Sequence, residues 1–208
     1  ATHTTGNEKE IFDTTSAWMK LRTDDESFVL DSILTECAKN NPDPLFQTIN
    51  PERIGLFGHS LGGAASAQTG RLRKDVDAVI VLDGTMLGEE VAFRNNTVVL
   101  NETPYPVPLL NLYAEDHYDN AQAFEGTAYA NFHATQQAVA AYETVFKGAG
   151  HLNFTDLPLF SPMLANLLGA GTMDAREGID TMNRVILSFF DHTLKDAEMP
   201  VIASEYGK

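Results

Sequence analysis

The sequence predicts an α/β fold in which a mostly parallel sheet carries helices on both faces. The first indication is a series of four short apolar segments, each typical of a buried strand, at about 53–57, 78–82, 107–113 and 142–146. The second is the presence of amphipathic helical segments around them, among them 27–39 and 177–195. Strands that alternate with helices form parallel sheets, because each parallel pair needs a long crossover connection.

The composition indicates one globular unit over residues 1–208. Hydrophobic residues make up 43% of the chain and charged residues 21%, which are ordinary proportions for a packed domain. The net charge of −15 argues against nucleic acid as a partner and disfavours docking on anionic membranes, because both need basic patches. No apolar run approaches the length of a transmembrane segment. The single cysteine, Cys37, excludes a disulfide within the chain.

The most informative stretch is Gly58–Gly63, which reads G-H-S-L-G-G. It follows the first apolar strand and precedes a segment of small, helix-tolerant residues. A G-x-S-x-G sequence in this context predicts a nucleophile elbow, a sharp turn that lifts the serine hydroxyl above the edge of the sheet. We expect Gly58 and Gly62 to be small because strand and helix approach each other there. The sequence therefore predicts Ser60 as a nucleophile, with a catalytically idle Gly/Ser-rich turn as the alternative.

A serine nucleophile needs a base, and His151 is the best placed of the six histidines. It follows the fourth strand after the flexible segment Lys147–Gly150, and folds with this elbow use the chain order serine, acid, histidine. His59 lies inside the elbow and cannot fold back onto the neighbouring hydroxyl, whereas His133 and His192 fall in helices predicted at 131–142 and 177–195. The sequence therefore predicts His151 as the base.

Two aspartates compete for the role of the acid that orients this histidine. Asp83 ends the strand at 78–82, and Asp116 follows the strand at 107–113. Both lie at the carboxyl ends of parallel strands, where active-site groups collect in open α/β sheets. Each also suits a helix cap or a loop. The residues alone leave both aspartates open.

Two further segments make the chain similar to the platelet-activating factor acetylhydrolase family of α/β-hydrolases. Leu82–Gly88 resembles the family's strand end, L-D-x-x-M, and Lys147–Asp156 resembles its histidine loop, G-x-x-H-x-N-F-x-D. The family's elbow also reads G-H-S-x-G-G. The resemblance extends from about His3 through the terminal helix, so it covers nearly the whole chain and implies the α/β-hydrolase fold.

The resemblance also implies the roles of the site residues and the activity. It implies Ser60 as nucleophile, His151 as base and Asp83 as acid, and so favours Asp83 over Asp116. The family acts on esters with short or oxidised acyl groups, often on phospholipids. The implied function is a carboxylic ester hydrolase that cleaves short-chain or lipid-like acyl esters through an acyl-enzyme. In this architecture the backbone N–H of Leu61, the residue after the nucleophile, donates to the oxyanion.

The same comparison predicts that the chain is the carboxyl-terminal part of a larger α/β-hydrolase domain. A complete hydrolase of this type has several strands before the elbow strand, and their loops supply half of the oxyanion hole. We expect a second chain or segment to provide these first strands and the second oxyanion donor. In its absence, the edge formed by the strand at 53–57 is apolar and unpaired, which favours aggregation.

Other functions remain open at this stage. Peptidases and polyester hydrolases use the same triad, and a catalytically silent hydrolase-like module would keep the fold and bind its ligand without turnover. No phosphate loop or nicotinamide fingerprint is present, so we expect no cofactor. His117 with Asp116 and Asp119 is the only group that suggests a metal, and we interpret it as a polar loop.

Two segments lack a clear periodicity. The stretch 84–105 is expected to be an irregular loop. The apolar stretch 157–173 is expected either to rim an acyl pocket or cover the site as a lid, or to pack on the domain as an ordinary helix.

Overall fold

A computed structural model describes residues 7–198, and its centre is a four-stranded parallel sheet with the order β1-β2-β5-β6. A separate antiparallel hairpin joins β3 to β4. The six strands are β1 (Gly55–His59), β2 (Ala78–Leu82), β3 (Glu90–Arg94), β4 (Thr97–Leu100), β5 (Leu109–Ala114) and β6 (Ala141–Phe146).

Helices cover both faces of the parallel sheet and connect its strands. They are α1 (Glu8–Cys37), α2 (Leu61–Leu72), α3 (Glu115–Phe124), α4 (Ala130–Gln137), α5 (Leu157–Phe160), α6 (Pro162–Leu167) and α7 (Ala175–Lys195). The prediction of a parallel sheet with helices on both faces is therefore confirmed. The four predicted strands are all present, with ends that differ by up to two residues.

Successive side chains of the central strands β2 and β5 point to opposite faces of the sheet, so the core has two layers. Side chains such as Ile80 and Leu112 point to one face, where they pack with Phe189 of α7. Their sequence neighbours point to the opposite face, where Val81 packs with Ala67 of α2. Every residue of β2 and β5 is buried, which explains why these strands read as continuous apolar runs.

The first helix is much longer than the segment predicted at 27–39. α1 begins after Asn7, whose side chain accepts a hydrogen bond from the Lys9 backbone N–H at 3.1 Å. Few of its residues are buried, and Trp18 and Phe28 are exposed. The apolar periodicity is therefore weak along its amino-terminal half, and the sequence pattern marks only the second half.

Two other elements also differ from the prediction. The stretch 84–105, expected to be irregular, contains the β3–β4 hairpin, whose turn residues Asn95 and Asn96 both have positive φ. Asparagine tolerates this conformation, and two such residues suit a two-residue hairpin turn. The helix expected to include His133 ends at Gln137, because β6 begins at Ala141.

The segment predicted at 157–173 forms α5 and α6, which lie beside the histidine loop. α5 packs against the turn His151–Phe154 and against α7. Most of the apolar side chains nevertheless face outward: Phe160, Met163 and Leu167 are at least 80% exposed. The segment therefore consists of helices packed on the domain, one of the two expected arrangements, with most of its apolar side chains at the surface.

Within residues 7–198, β1 pairs only with β2 and so forms an edge of the parallel sheet. Phe57 of β1 is 55% exposed and makes an edge-on ring contact with Phe190 of α7. None of the helices in residues 7–198 has the length and hydropathy required to cross a membrane.

Candidate active site

Ser60 lies in a strained turn between β1 and α2. Its φ of 57° and ψ of −126° are outside the regions that non-glycine residues usually adopt. The turn is held by a hydrogen bond from the Ser60 backbone N–H to the Leu82 carbonyl at 2.9 Å. The side chain is thereby presented at the carboxyl edge of the sheet, as the elbow sequence predicts.

The close approach of strand and helix depends on Gly58 and Gly63, whereas the sequence analysis assigned it to Gly58 and Gly62. A Cβ atom on Gly58 would lie 2.5 Å from the carbonyl carbon of Gly62, and one on Gly63 would lie 2.6 Å from the Gly58 oxygen. A Cβ on Gly62 would meet no described atom within 4 Å, because this residue faces outward. The prediction that residue 62 must be small to let strand and helix approach is therefore wrong.

This difference predicts opposite effects on stability for two neighbouring substitutions. Gly62→Ala is expected to stabilise the chain by up to ~1 kcal/mol, since alanine is the better helix former. Gly63→Ala is expected to destabilise it by about 1–3 kcal/mol, since the new methyl group overlaps the Gly58 backbone. Urea unfolding of the two variants measures both changes, and equal effects would contradict this description of the elbow.

The three residues predicted as nucleophile, base and acid lie together at this edge. His151 Nε2 lies 3.0 Å from Ser60 Oγ, and His151 Nδ1 lies 2.7 Å from Asp83 Oδ2. Asp83 directly follows β2, and its side chain is 1% exposed. Residues far apart in the chain therefore form one continuous path of hydrogen bonds.

Asp83 is held as a carboxylate by its surroundings. Burial alone raises the pKa of Asp83, but hydrogen bonds from His117, His151 and the Ala114 backbone N–H outweigh it and hold the pKa well below its ordinary value. The Ala114 N–H donates to Asp83 Oδ1 at 2.7 Å, and His117 Nδ1 donates to the same oxygen at 2.9 Å. Asp83 therefore stays ionised over any pH range in which a histidine can act as a base.

The alternative acid, Asp116, lies elsewhere on the surface. It is exposed in the first turn of α3, and its Oδ1 accepts a hydrogen bond from the His117 backbone N–H at 2.8 Å. A carboxylate in the first turn of a helix also interacts favourably with the helix dipole. Asp116 is the second residue of the helix rather than its N-cap, which is Ala114, so the expected capping role is not observed.

The loop that carries His151 is fixed by Asn153. This side chain is buried, and its Oδ1 accepts hydrogen bonds from the backbone N–H groups of Gly150 at 2.9 Å and Gly171 at 2.7 Å. The loop before α7 is thereby tied to the turn that holds the histidine. Sequence reasoning gave Asn153 no role, although it belongs to the motif on which the resemblance rests.

His59 contacts His151 from the side of the elbow. The two ring centroids are 4.4 Å apart, and His59 Nε2 donates to the His151 carbonyl at 3.0 Å. Burial lowers the pKa of His59, and the nearby His151 lowers it further, so the neutral ring is favoured. His59 thus supports the histidine loop. From the sequence, it was predicted only that His59 is not the base.

Residues 83–86, which follow β2 and are called the acid loop below, are fixed from two directions. Asn131 of α4 accepts a hydrogen bond from the Met86 backbone N–H and donates to the Gly84 carbonyl, both at 2.8 Å. A Cβ atom on Gly84 would collide with the carbonyl oxygen of Ser60. The acid loop and the elbow are therefore in direct backbone contact.

His117 is the main residue of the site that sequence reasoning missed. It was considered only as part of a metal group with Asp116 and Asp119, yet its ring binds Asp83. Its position directly after Asp116, at the end of a buried strand, was the available signal. Among residues 7–198, no group of three or more histidine, cysteine or acidic side chains is placed to hold a metal ion.

A cavity of about 260 Å³ opens beside the serine. It is lined by Ser60, Leu61, Asp83, Gly84, Thr85, Leu87, His117 and His151. Leu61 begins α2, and the first N–H groups of a helix have no acceptor within the helix. An anionic oxygen in this cavity would therefore face the positive end of α2.

Most of this chain matches one known protein family. The family model for platelet-activating factor acetylhydrolase, isoform II, matches residues 35–200. The chain belongs to this family. The matched segment contains the elbow, the acid loop and the histidine loop of this chain.

A solved structure with a similar fold is that of a ferulic acid esterase from Streptomyces cinnamoneus. Its TM-score is 0.63 at 24% sequence identity, which shows the shared α/β-hydrolase fold. The similarity covers 90% of the present chain and 52% of the esterase. The present chain therefore spans about half the length of that structure. None of the curated proteins matches it.

Proposed function

We propose that this chain carries the catalytic centre of a carboxylic ester hydrolase, with Ser60 as nucleophile, His151 as base and Asp83 as acid. The observation that carries the proposal is the continuous hydrogen-bond path from Ser60 Oγ through His151 to Asp83 Oδ2. Membership of the acetylhydrolase family and the fold shared with an esterase support the same class of reaction.

In the first step, Ser60 Oγ attacks the ester carbonyl carbon while His151 Nε2 takes the hydroxyl proton. The carbonyl oxygen becomes an oxyanion, which the Leu61 N–H stabilises. Collapse of this intermediate breaks the bond to the alcohol, which leaves with the proton from His151. An acyl group then remains on Ser60 Oγ, and water removes it by the same sequence of proton transfers.

Asp83 contributes to both steps through His151. Its Oδ2 accepts from Nδ1, which leaves the lone pair of neutral His151 on Nε2, the atom that faces Ser60 Oγ. The buried negative charge also stabilises the imidazolium that forms during the reaction.

Two features support short-chain or lipid-like acyl esters as substrates. A cavity of about 260 Å³ suits a short acyl group better than an extended peptide. The outward-facing apolar side chains of α5 and α6, such as Phe160 and Met163, lie on elements next to the histidine loop. They offer an apolar surface that would contact the remaining apolar part of a lipid-like ester.

A second oxyanion donor is part of the proposal. We infer that it comes from strands that precede the elbow strand in a complete α/β-hydrolase domain, supplied by a second chain or segment. The exposed edge of β1, with Phe57 on it, is the place where such strands would pair. Loss of one oxyanion donor costs about 10²–10³ in rate.

Reaction with a fluorophosphonate tests the proposal, since an activated serine displaces fluoride and forms a covalent phosphonyl ester. Intact-mass spectrometry and peptide mapping are expected to find one adduct, on Ser60, and none in the Ser60→Ala variant. Labelling is expected to be about 10²–10³ times faster when the amino-terminal strands of the domain are present.

The possible results have different meanings. No adduct in either form of the protein would contradict the hydrolase proposal and favour a silent binding module. An adduct that forms equally fast in both forms would contradict only the external oxyanion donor.

A further inference from the structure

Asp83 binds a second histidine with the oxygen that His151 does not use. His117 Nδ1 donates to Asp83 Oδ1 at 2.9 Å, and His151 Nδ1 donates to Oδ2 at 2.7 Å. Because an ionised carboxylate only accepts hydrogen bonds, each ring carries a proton on Nδ1. One buried carboxylate therefore holds two imidazole rings.

The outer nitrogen of His117 faces hydroxyl groups that suit either protonation state. Nε2 lies 3.0 Å from Tyr129 Oη, which lies 3.3 Å from Thr85 Oγ1. When His117 is neutral, the Tyr129 hydroxyl donates to Nε2. When His117 is protonated, Nε2–H donates to Tyr129 Oη, whose own proton turns toward Thr85. His117 can therefore gain a proton without leaving a polar atom unpaired.

The charges around His117 favour its protonated form. Asp83, Asp116 and Glu125 all act on it as negative charges, and the hydrogen bond to Asp83 raises the pKa of His117 although burial opposes this. The other titratable side chains against its ring are two phenols that burial keeps neutral, Tyr113 and Tyr129.

His151 uses the other oxygen of the same carboxylate. Its Nδ1 donates to Asp83 Oδ2, and its Nε2 faces Ser60 Oγ. The ring of His59 lies tilted against it at 4.4 Å. A displacement of Asp83 would therefore also move the ring that takes the proton from Ser60.

We propose that His117 is a positioning residue, which holds Asp83 by its second oxygen and so orients the carboxylate that accepts from His151 Nδ1. The proposal rests on the function proposed above for His151. It requires the carboxylate of Asp83 to accept from both rings at once.

Two variants separate the hydrogen bond of His117 from its charge. H117N keeps a side-chain N–H for Asp83 but has no titrating ring, whereas H117L removes both. The measurement is kcat and KM for a short-chain p-nitrophenyl ester as a function of pH. H192N is the control, because His192 lies near the end of α7 and its Nδ1 contacts the Ala197 carbonyl.

H117L is expected to lower kcat about tenfold at the pH optimum, because Asp83 Oδ1 loses its side-chain donor. H117N is expected to recover most of that loss, since its amide N–H can replace the donor, and H192N is expected to behave as wild type. A kcat in H117L equal to that of H192N, or a loss in H117N as large as that in H117L, would overturn the proposal.

A second measurement does not depend on turnover. In the Ser60→Ala background, ¹⁵N NMR of the ring nitrogens is expected to show both His117 and His151 with a proton on Nδ1. Adding H117L is expected to shift the Nδ1 signal of His151, because its acceptor Asp83 is no longer held by a second ring. If that signal does not move, or His117 carries its proton on Nε2, the proposal is wrong even where Ser60 is labelled. A protein that is never labelled at Ser60 contradicts the proposed function instead.

Discussion

Replacing Ser60 by alanine is expected to lower kcat by about 10⁶-fold, and replacing Ser60 and His151 together is expected to cost no more. The two side chains act as one unit, since the base has no proton to accept once the hydroxyl is gone. Their separate losses therefore cannot add. The residual rate of the double variant would come from binding and the oxyanion donor alone.

Single-turnover hydrolysis of an activated ester measures these losses, with Ser32→Ala as the matched control. Ser32 is exposed on α1 and donates to the carbonyl of Phe28, so its replacement should leave the rate unchanged. A loss in the double variant that equals the product of the two single losses would contradict a shared mechanism for Ser60 and His151.

Replacing Asp83 by asparagine is expected to lower kcat by about 10⁴-fold. An asparagine presents one oxygen and one amide, so it cannot accept from His117 and His151 at once as the carboxylate does. Whichever ring faces the amide must change its tautomer. If this is His151, Nε2 carries the proton and can no longer take one from Ser60.

Asp116→Asn is the matched control, because Asp116 lies on the surface at the start of α3. Its rate at the pH optimum is expected to stay within about twofold of wild type, because its exposed side chain is hydrogen-bonded to the His117 backbone rather than to Asp83 or His151. Thermal unfolding of both variants separates loss of catalysis from loss of fold. The reverse pattern, with the large loss at Asp116, would contradict the role assigned to Asp83.

The parallel sheet was predictable because its strands are buried on both faces. Central strands such as Ala78–Leu82 therefore read as short apolar runs with clear ends. The amino-terminal half of α1 was missed since few of its side chains are buried, and the β3–β4 hairpin since its strands are only partly buried. An apolar periodicity in the sequence reflects which side chains are buried. These elements bury too few side chains to produce one.

The candidate site was predictable where a local pattern has a specific geometric meaning. The elbow around Ser60 is such a pattern. Asp83 and Asp116 could not be separated from the residues alone, because both follow strands that end at the same edge. His117 was missed because its contact with Asp83 joins positions 34 residues apart. That contact depends on how β2 and β5 are paired, which the sequence of either strand does not specify.

The contact between Gly84 and the Ser60 carbonyl has a consequence for how this site can diversify. The loops that hold nucleophile and acid meet backbone to backbone, so a larger residue at that contact would displace both groups at once. Changes in selectivity are therefore expected at cavity-lining side chains outside this contact, such as Leu87, or on the helices beside the histidine loop. Related chains that differ in substrate should differ at those positions and share the rigid junction.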